Sequence, residues 1–158
     1  MNLSREKGIR NIRWVWSPAG DRKAADFWPG ADYVDHIGLS IYATREWSST
    51  TSQPGQIPSL ASLLNDKLWV AKYGKPILLA EVGVSGSEGQ KMAWIRDGIQ
   101  QLASFSNVWA WVYFDAKQPK FMPTEIGFPD WSLSQSQAHT LQSLLAGIEA
   151  NRFGAESP

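Results

Sequence analysis

Four short apolar runs punctuate the chain: Ile12-Arg13-Trp14-Val15-Trp16, Ile37-Gly38-Leu39-Ser40-Ile41-Tyr42, Ile77-Leu78-Leu79-Ala80-Glu81-Val82 and Val108-Trp109-Ala110-Trp111-Val112-Tyr113-Phe114. Three of them are near-continuously hydrophobic, the pattern of parallel strands covered on both faces. Between the second and third, Pro58-Ser59 opens a helix signal. Its apolar positions are Leu60, Leu63, Leu64, Leu68 and Ala71, and Gly74-Lys75-Pro76 stops it. After Ser87-Glu88, the residues Met92, Ile95, Ile99, Leu102 and Ala103 keep helical spacing up to the fourth run. A last helix is expected beyond Asp130-Trp131-Ser132, with Leu141, Leu144, Leu145 and Ile148 along one side. The first crossover is weaker, since residues 21–26 suit only a short helix before Phe27-Trp28-Pro29-Gly30.

Strand starts at 12, 37, 77 and 108 have the rhythm of βα units. Such alternation predicts an α/β fold, a parallel sheet with its helices outside. Polar and aromatic residues gather at the C-terminal ends of all four runs: Trp16-Ser17-Pro18, Tyr42, Glu81, and Tyr113 to Asp115. A (β/α)₈ barrel builds its active site at that end of its strands. No glycine-rich dinucleotide or Walker pattern occurs, so a nucleotide-binding reading has no support.

Composition narrows the classes further. A chain of 158 residues suits one domain, with residues 154–158 reading as a frayed tail. Fifteen basic and fifteen acidic side chains cancel, which removes any electrostatic case for nucleic acid. No run approaches the ~20 apolar residues of a membrane span, and the first residues carry no apolar signal-peptide core. The absence of cysteine excludes disulfides, thiol catalysis and thiolate metal sites without fixing the compartment. His36 and His139 are too few and too far apart for a metal site, so neither metal nor cofactor is expected. Nine tryptophans are an excess, and tryptophan offers both core bulk and a flat face for sugars.

Trp14-Val-Trp-Ser-Pro18, Trp28-Pro-Gly-Ala-Asp-Tyr-Val-Asp-His-Ile-Gly38, Tyr42 and Lys75-Pro-Ile-Leu-Leu-Ala-Glu-Val-Gly83 together resemble the second half of glycoside hydrolase family 26. That family contains β-mannanases and mixed-linkage β-glucanases, retaining enzymes on a (β/α)₈ barrel, usually secreted or periplasmic. The resemblance implies that residues 1–158 form one partial barrel domain of four βα units, the C-terminal half holding strands five to eight. The family's fourth strand, bearing a His-Glu pair with the acid/base glutamate, would then precede Met1.

Glu81 follows four apolar residues, so its carboxylate is expected at the rim of a buried strand, where desolvation is costly. The resemblance places Glu81 as the nucleophile and Tyr42 as the phenol that orients it. Ser40 departs from the family pattern, which commonly carries Asp two residues before this tyrosine. Trp16 and Tyr113, at strand ends, and Trp47, in the polar loop from Arg45 to Gly55, are candidate surfaces for stacking on a pyranose ring. Asp115 is the other carboxylate at a strand end and a candidate substrate contact or substitute acid. Trp14, Trp69, Trp94 and Trp109 are expected in the core, and Phe27, Trp28 and Trp131 as loop anchors. Asp35 reads as a turn or cap residue.

The implied function is retaining hydrolysis of a β-1,4-linked polysaccharide, β-mannan or mixed-linkage β-glucan, with little activity from this chain alone. The alternative is a non-catalytic carbohydrate-binding or self-associating half-barrel. In either case Trp14 or Trp16, Leu39, Leu79 and Trp111 are expected to face inward, and a homodimer or a missing N-terminal half is expected to cover them.

Overall fold

The computed structural model describes residues 6–9, 11–18, 22–44, 56–117 and 129–153. Its centre is a four-stranded sheet of β1 (Val15–Trp16), β2 (His36–Ala43), β3 (Ile77–Val84) and β4 (Val108–Tyr113). Every neighbouring pair is parallel and the spatial order is the chain order. The helices are α1 (Leu60–Asn65), α2 (Glu88–Leu102) and α3 (Gln135–Phe153).

Sequential parallel order has a consequence for the faces. Crossovers between parallel strands are right-handed, so strands added always on the same side send every helix to one face. A doubly wound sheet reverses direction and covers both faces. The core accordingly lies on a single face: Ile37, Leu39, Ile41 and Ala43 of β2 and Ile77, Leu79, Val82 and Val84 of β3 pack with Leu60, Leu64, Val70, Trp94, Ile95 and Leu141. Burying each large aliphatic side chain contributes about 1.5–3 kcal/mol. The fold is α/β, and this one-sided sheet is the arrangement of strands in part of a (β/α)₈ barrel.

Local chemistry explains most boundaries. α2 begins at a capping box in which the Ser87 hydroxyl accepts from the Gln90 amide, and the Gln90 side chain accepts from the Ser87 amide. α1 is capped by Ser59 and ends at Asn65, earlier than the apolar spacing predicts. A 3₁₀ segment, Leu68–Tyr73, follows and stops at Gly74, whose φ of 65° is left-handed. The first crossover is two 3₁₀ turns, Arg22–Phe27 and Ala31–Tyr33. Asp35 acts as the expected turn residue, its carboxylate accepting the Trp14 amide at 2.7 Å.

Three expectations about facing are corrected. Leu39 and Leu79 lie beneath the helices, fully buried, and do not face a barrel interior. Trp111, in register with Leu79, also packs against the helix-side core. Trp14 and Trp109, expected in the core, are 44% and 54% exposed. Trp109 is the extra residue of a register shift between Ile77↔Val108 and Leu78↔Ala110, and its ring rests 5.0 Å from that of His36.

Candidate active site

β3 does not keep a simple alternation. Leu39 pairs with Leu79, but the next residue, Ser40, pairs with Glu81, leaving Ala80 as an extra residue in β3. The ladder to β4 skips at the same place, from Leu79↔Trp111 to Val82↔Tyr113. Regular alternation from Ile77 and Leu79 would carry Glu81 into the helix-covered core. The bulge changes the phase, so Val82 and Val84 fill the core and Glu81 turns to the open face. There it stands exposed beside Ser40 and Tyr42.

The Tyr42 hydroxyl donates to Glu81 Oε2 at 2.8 Å. Its ring lies over Gly83, where an added Cβ would come within 2.8 Å of Tyr42 Cδ1. Burial, and next the hydrogen bond to the Glu81 carboxylate, push the Tyr42 phenol well above its ordinary 10.0. The phenol is thus a fixed proton donor aimed at one carboxylate oxygen. Phe114 and Trp131 wall the ring, at 5.7 Å and 4.9 Å between centroids.

The remaining candidates lie elsewhere. The Trp16 ring is on the helix-covered side, edge-on to Trp28 at 5.0 Å, Tyr73 at 5.5 Å and Trp69 at 6.3 Å. Tyr113 is in register with Val82, packs against the same core and donates its hydroxyl to the Trp131 carbonyl at 2.8 Å. Neither ring offers the open stacking surface expected of it, because both strand-end positions fall in phase with the core. Burial raises the Tyr113 phenol to about 12, aided by the negative charges of Asp115 and Asp130. Asp115 is exposed and its Oδ1 accepts the Leu133 amide at 2.7 Å, which reads as a loop tether. Trp47 lies outside the described residues. Among the described residues no group of three His, Asp or Glu could hold a metal ion.

Two features of the site escape the apolar-run reading. The bulge has a sequence signal, for the large apolar residues change phase from Ile77 and Leu79 to Val82 and Val84. Trp131, expected only as an anchor, proves to be 1% exposed and directly against Tyr42.

The model for glycosyl hydrolase family 26 matches residues 1–72. A mannan endo-1,4-β-mannosidase of Bacillus subtilis is 34% identical over 88 residues, 55% of this chain and 20% of the relative. Residues 1–72 thus carry family 26 glycosyl hydrolase sequence. The chain is also 25% identical over 165 residues to endoglucanase H of Acetivibrio thermocellus, all of this chain and 17% of that protein. It therefore spans between 17% and 20% of the length of these two relatives. Among solved structures, a GH128 (subgroup VI) exo-β-1,3-glucanase of Aureobasidium namibiae superposes with a TM-score of 0.51 at 15% identity, over 88% of this chain and 55% of that one. That likeness is one of fold. The family-model match ends at residue 72, before β3 and Glu81.

Proposed function

We propose that this chain supplies the nucleophile side of a retaining β-1,4-glycanase, with Glu81 as nucleophile and Tyr42 as the residue that orients it. The observation that carries the reading is the 2.8 Å hydrogen bond from Tyr42 to Glu81 at the C-terminal rim of parallel strands. A Glu81 oxygen attacks the anomeric carbon while the bond to the departing sugar oxygen breaks. That oxygen takes a proton from an acid opposite, and water then hydrolyses the glycosyl ester with the same acid acting as base. The family resemblance assigns the acid to a glutamate on a strand preceding those described here. The substrate is β-mannan or mixed-linkage β-glucan, a reading supported by the names of the two relatives.

General-acid help contributes about 10²–10⁴-fold, so residues 1–158 alone turn over ordinary polysaccharide slowly or not at all. An aryl 2-deoxy-2-fluoroglycoside with a nitrophenolate leaving group needs no such proton. Incubated with the chain, it is expected to add one glycosyl unit to the peptide containing Glu81, and the Glu81→Ala variant is expected to remain unlabelled. Labelling of another carboxylate, or no Glu81 adduct in a chain completed to the full barrel, sinks the reading.

A second reading, a self-associating module without catalysis, is favoured by one observation. Among the described residues, no helix packs on the other face of the sheet, and β4 carries exposed Trp109 and Val112.

A further inference from the structure

The Tyr42 phenol serves Glu81 only while its ring is held in place, and the residues that hold it come from a different part of the chain. Gly83, Tyr42 and Trp131 are in mutual contact. A Cβ on Gly83 would lie 2.8 Å from Tyr42 Cδ1 and 3.3 Å from Trp131 Cδ2. The Trp131 ring packs at 4.9 Å and 47° to the Tyr42 ring, opposite the freedom that rotation of Tyr42 would need.

Trp131 and the two residues after it are fixed by four hydrogen bonds. Its amide donates to the Ala116 carbonyl at 3.1 Å, and its carbonyl accepts the Tyr113 hydroxyl at 2.8 Å. The next residue is held by α2, where the buried Lys91 ammonium donates to the Ser132 carbonyl at 2.6 Å. One residue further, the Leu133 amide is taken by Asp115 at 2.7 Å. A buried ammonium is costly unless it is hydrogen-bonded, so the Ser132 carbonyl is a needed partner of Lys91 and is held by it.

We infer that Trp131 is a positioning residue for the Glu81 carboxylate, acting through Tyr42, with Tyr113 as the tether that keeps Trp131 in place. The functional half of this inference rests on Glu81 being the nucleophile; the positioning itself does not.

The test uses the full chain labelled at tyrosine ¹³Cζ, whose four tyrosines give four assignable signals. Glu81→Gln assigns the Tyr42 signal, since it alone loses a carboxylate partner. In the unaltered chain the Tyr42 signal is expected to ionise only well above the ordinary 10.0. In Trp131→Leu the ring is released, and ionisation is expected to begin near the ordinary value of 10.0. Trp131→Phe keeps an aromatic wall and is expected to restore the unaltered curve. Tyr113→Phe loses the tether and a longer contact to the Val84 carbonyl at 3.5 Å, keeps the core ring, and is expected to shift the onset in the same direction by less. Should Trp131→Leu fail to give a native amide spectrum, Tyr113→Phe decides. Tyr42 curves in the folded variants that superimpose on the unaltered one overturn the inference. If Tyr42 responds as expected while no glycosyl adduct forms on Glu81 in a chain completed to the full barrel, the positioning stands and the nucleophile reading falls.

Discussion

At the residue scale, the same tyrosine chemistry that arranges the site also ties stability to alkaline pH. Tyr113 is raised to about 12 and Tyr42 is raised as well, in both cases first by burial. A group whose folded value exceeds its unfolded value contributes stability that is complete below the unfolded value. For these two phenols that means below about pH 10, with the contribution lost as pH climbs through about 12. The melting temperature is therefore expected to hold from pH 8 to 10 and then fall. Tyr113→Phe has no phenol to ionise and is expected to fall less steeply, although it starts lower for lack of its bond to Trp131. Parallel melting curves for the two proteins across pH 10–12 would show that Tyr113 is not a source of the slope.

Residue identity also marks how far the sequence could be read. Glu81 stood out because a carboxylate closing an apolar run needs a reason, and Tyr42 because it ends the neighbouring run. Trp16 and Tyr113 stood out by the same rule, yet they lie on the covered face. Position at a strand end selects the correct end of the barrel but not the correct side of the sheet.

At the element scale, the side was encoded in a place where periodicity fades. β2 alternates Ile37, Leu39 and Ile41 with Gly38, Ser40 and Tyr42, so its two faces are separable by which positions carry large aliphatic side chains. β3 reads Ile-Leu-Leu-Ala-Glu-Val-Gly-Val, in which large residues occupy both phases and the change of phase at Ala80 is easy to pass over. Existence and order of the four strands were legible because buried parallel strands are continuous apolar runs. Their facing was not, because that same continuity erases the period of two.

The bulge makes an unusual deletion testable. Removing Ala80 would align Leu79 and Glu81 as successive residues opposite Leu39 and Ser40, and equally regularise the ladder to Trp111 and Tyr113. Deleting a residue from a central strand ordinarily turns every later side chain to the wrong face. Here Ile77, Leu79, Val82 and Val84 would remain in one phase, and Glu81 would stay on the open face. The shortened chain is expected to unfold cooperatively, with a native-like amide spectrum and Tyr42 still bonded to Glu81. A molten or insoluble product would mean that Ala80 is not the inserted residue.

At the scale of the whole molecule, the decisive feature is that, among the described residues, the helices cover one face of the sheet, while the other is covered only where Trp131 lies on Tyr42 and Gly83. The helices shield Ile37, Leu39, Ile77 and Leu79 completely, while Trp109 and Val112 are each 54% exposed and Trp14 is 44% exposed. Leaving large apolar side chains in water forgoes roughly 1.5–3 kcal/mol apiece, against a net domain stability of about 5–15 kcal/mol. Among the described residues β1 and β4 are the edges of the sheet, and open edges recruit other strands. Two copies related by a two-fold axis would set β4 of each beside β1 of the other and close an eight-stranded ring, and four further βα units in one longer chain would do the same. Purified residues 1–158 are therefore expected to associate. Sedimentation equilibrium should give a mass above the 17.6 kDa of the single chain, with the tryptophan fluorescence shifting to the blue as concentration rises. Trp109→Lys puts a charge on the exposed side of the edge strand β4 and is expected to return the mass to that of one chain without disturbing the helix-side core. A compact monomer at micromolar concentration that binds no hydrophobic dye would mean that the open face is stable in water and needs no partner.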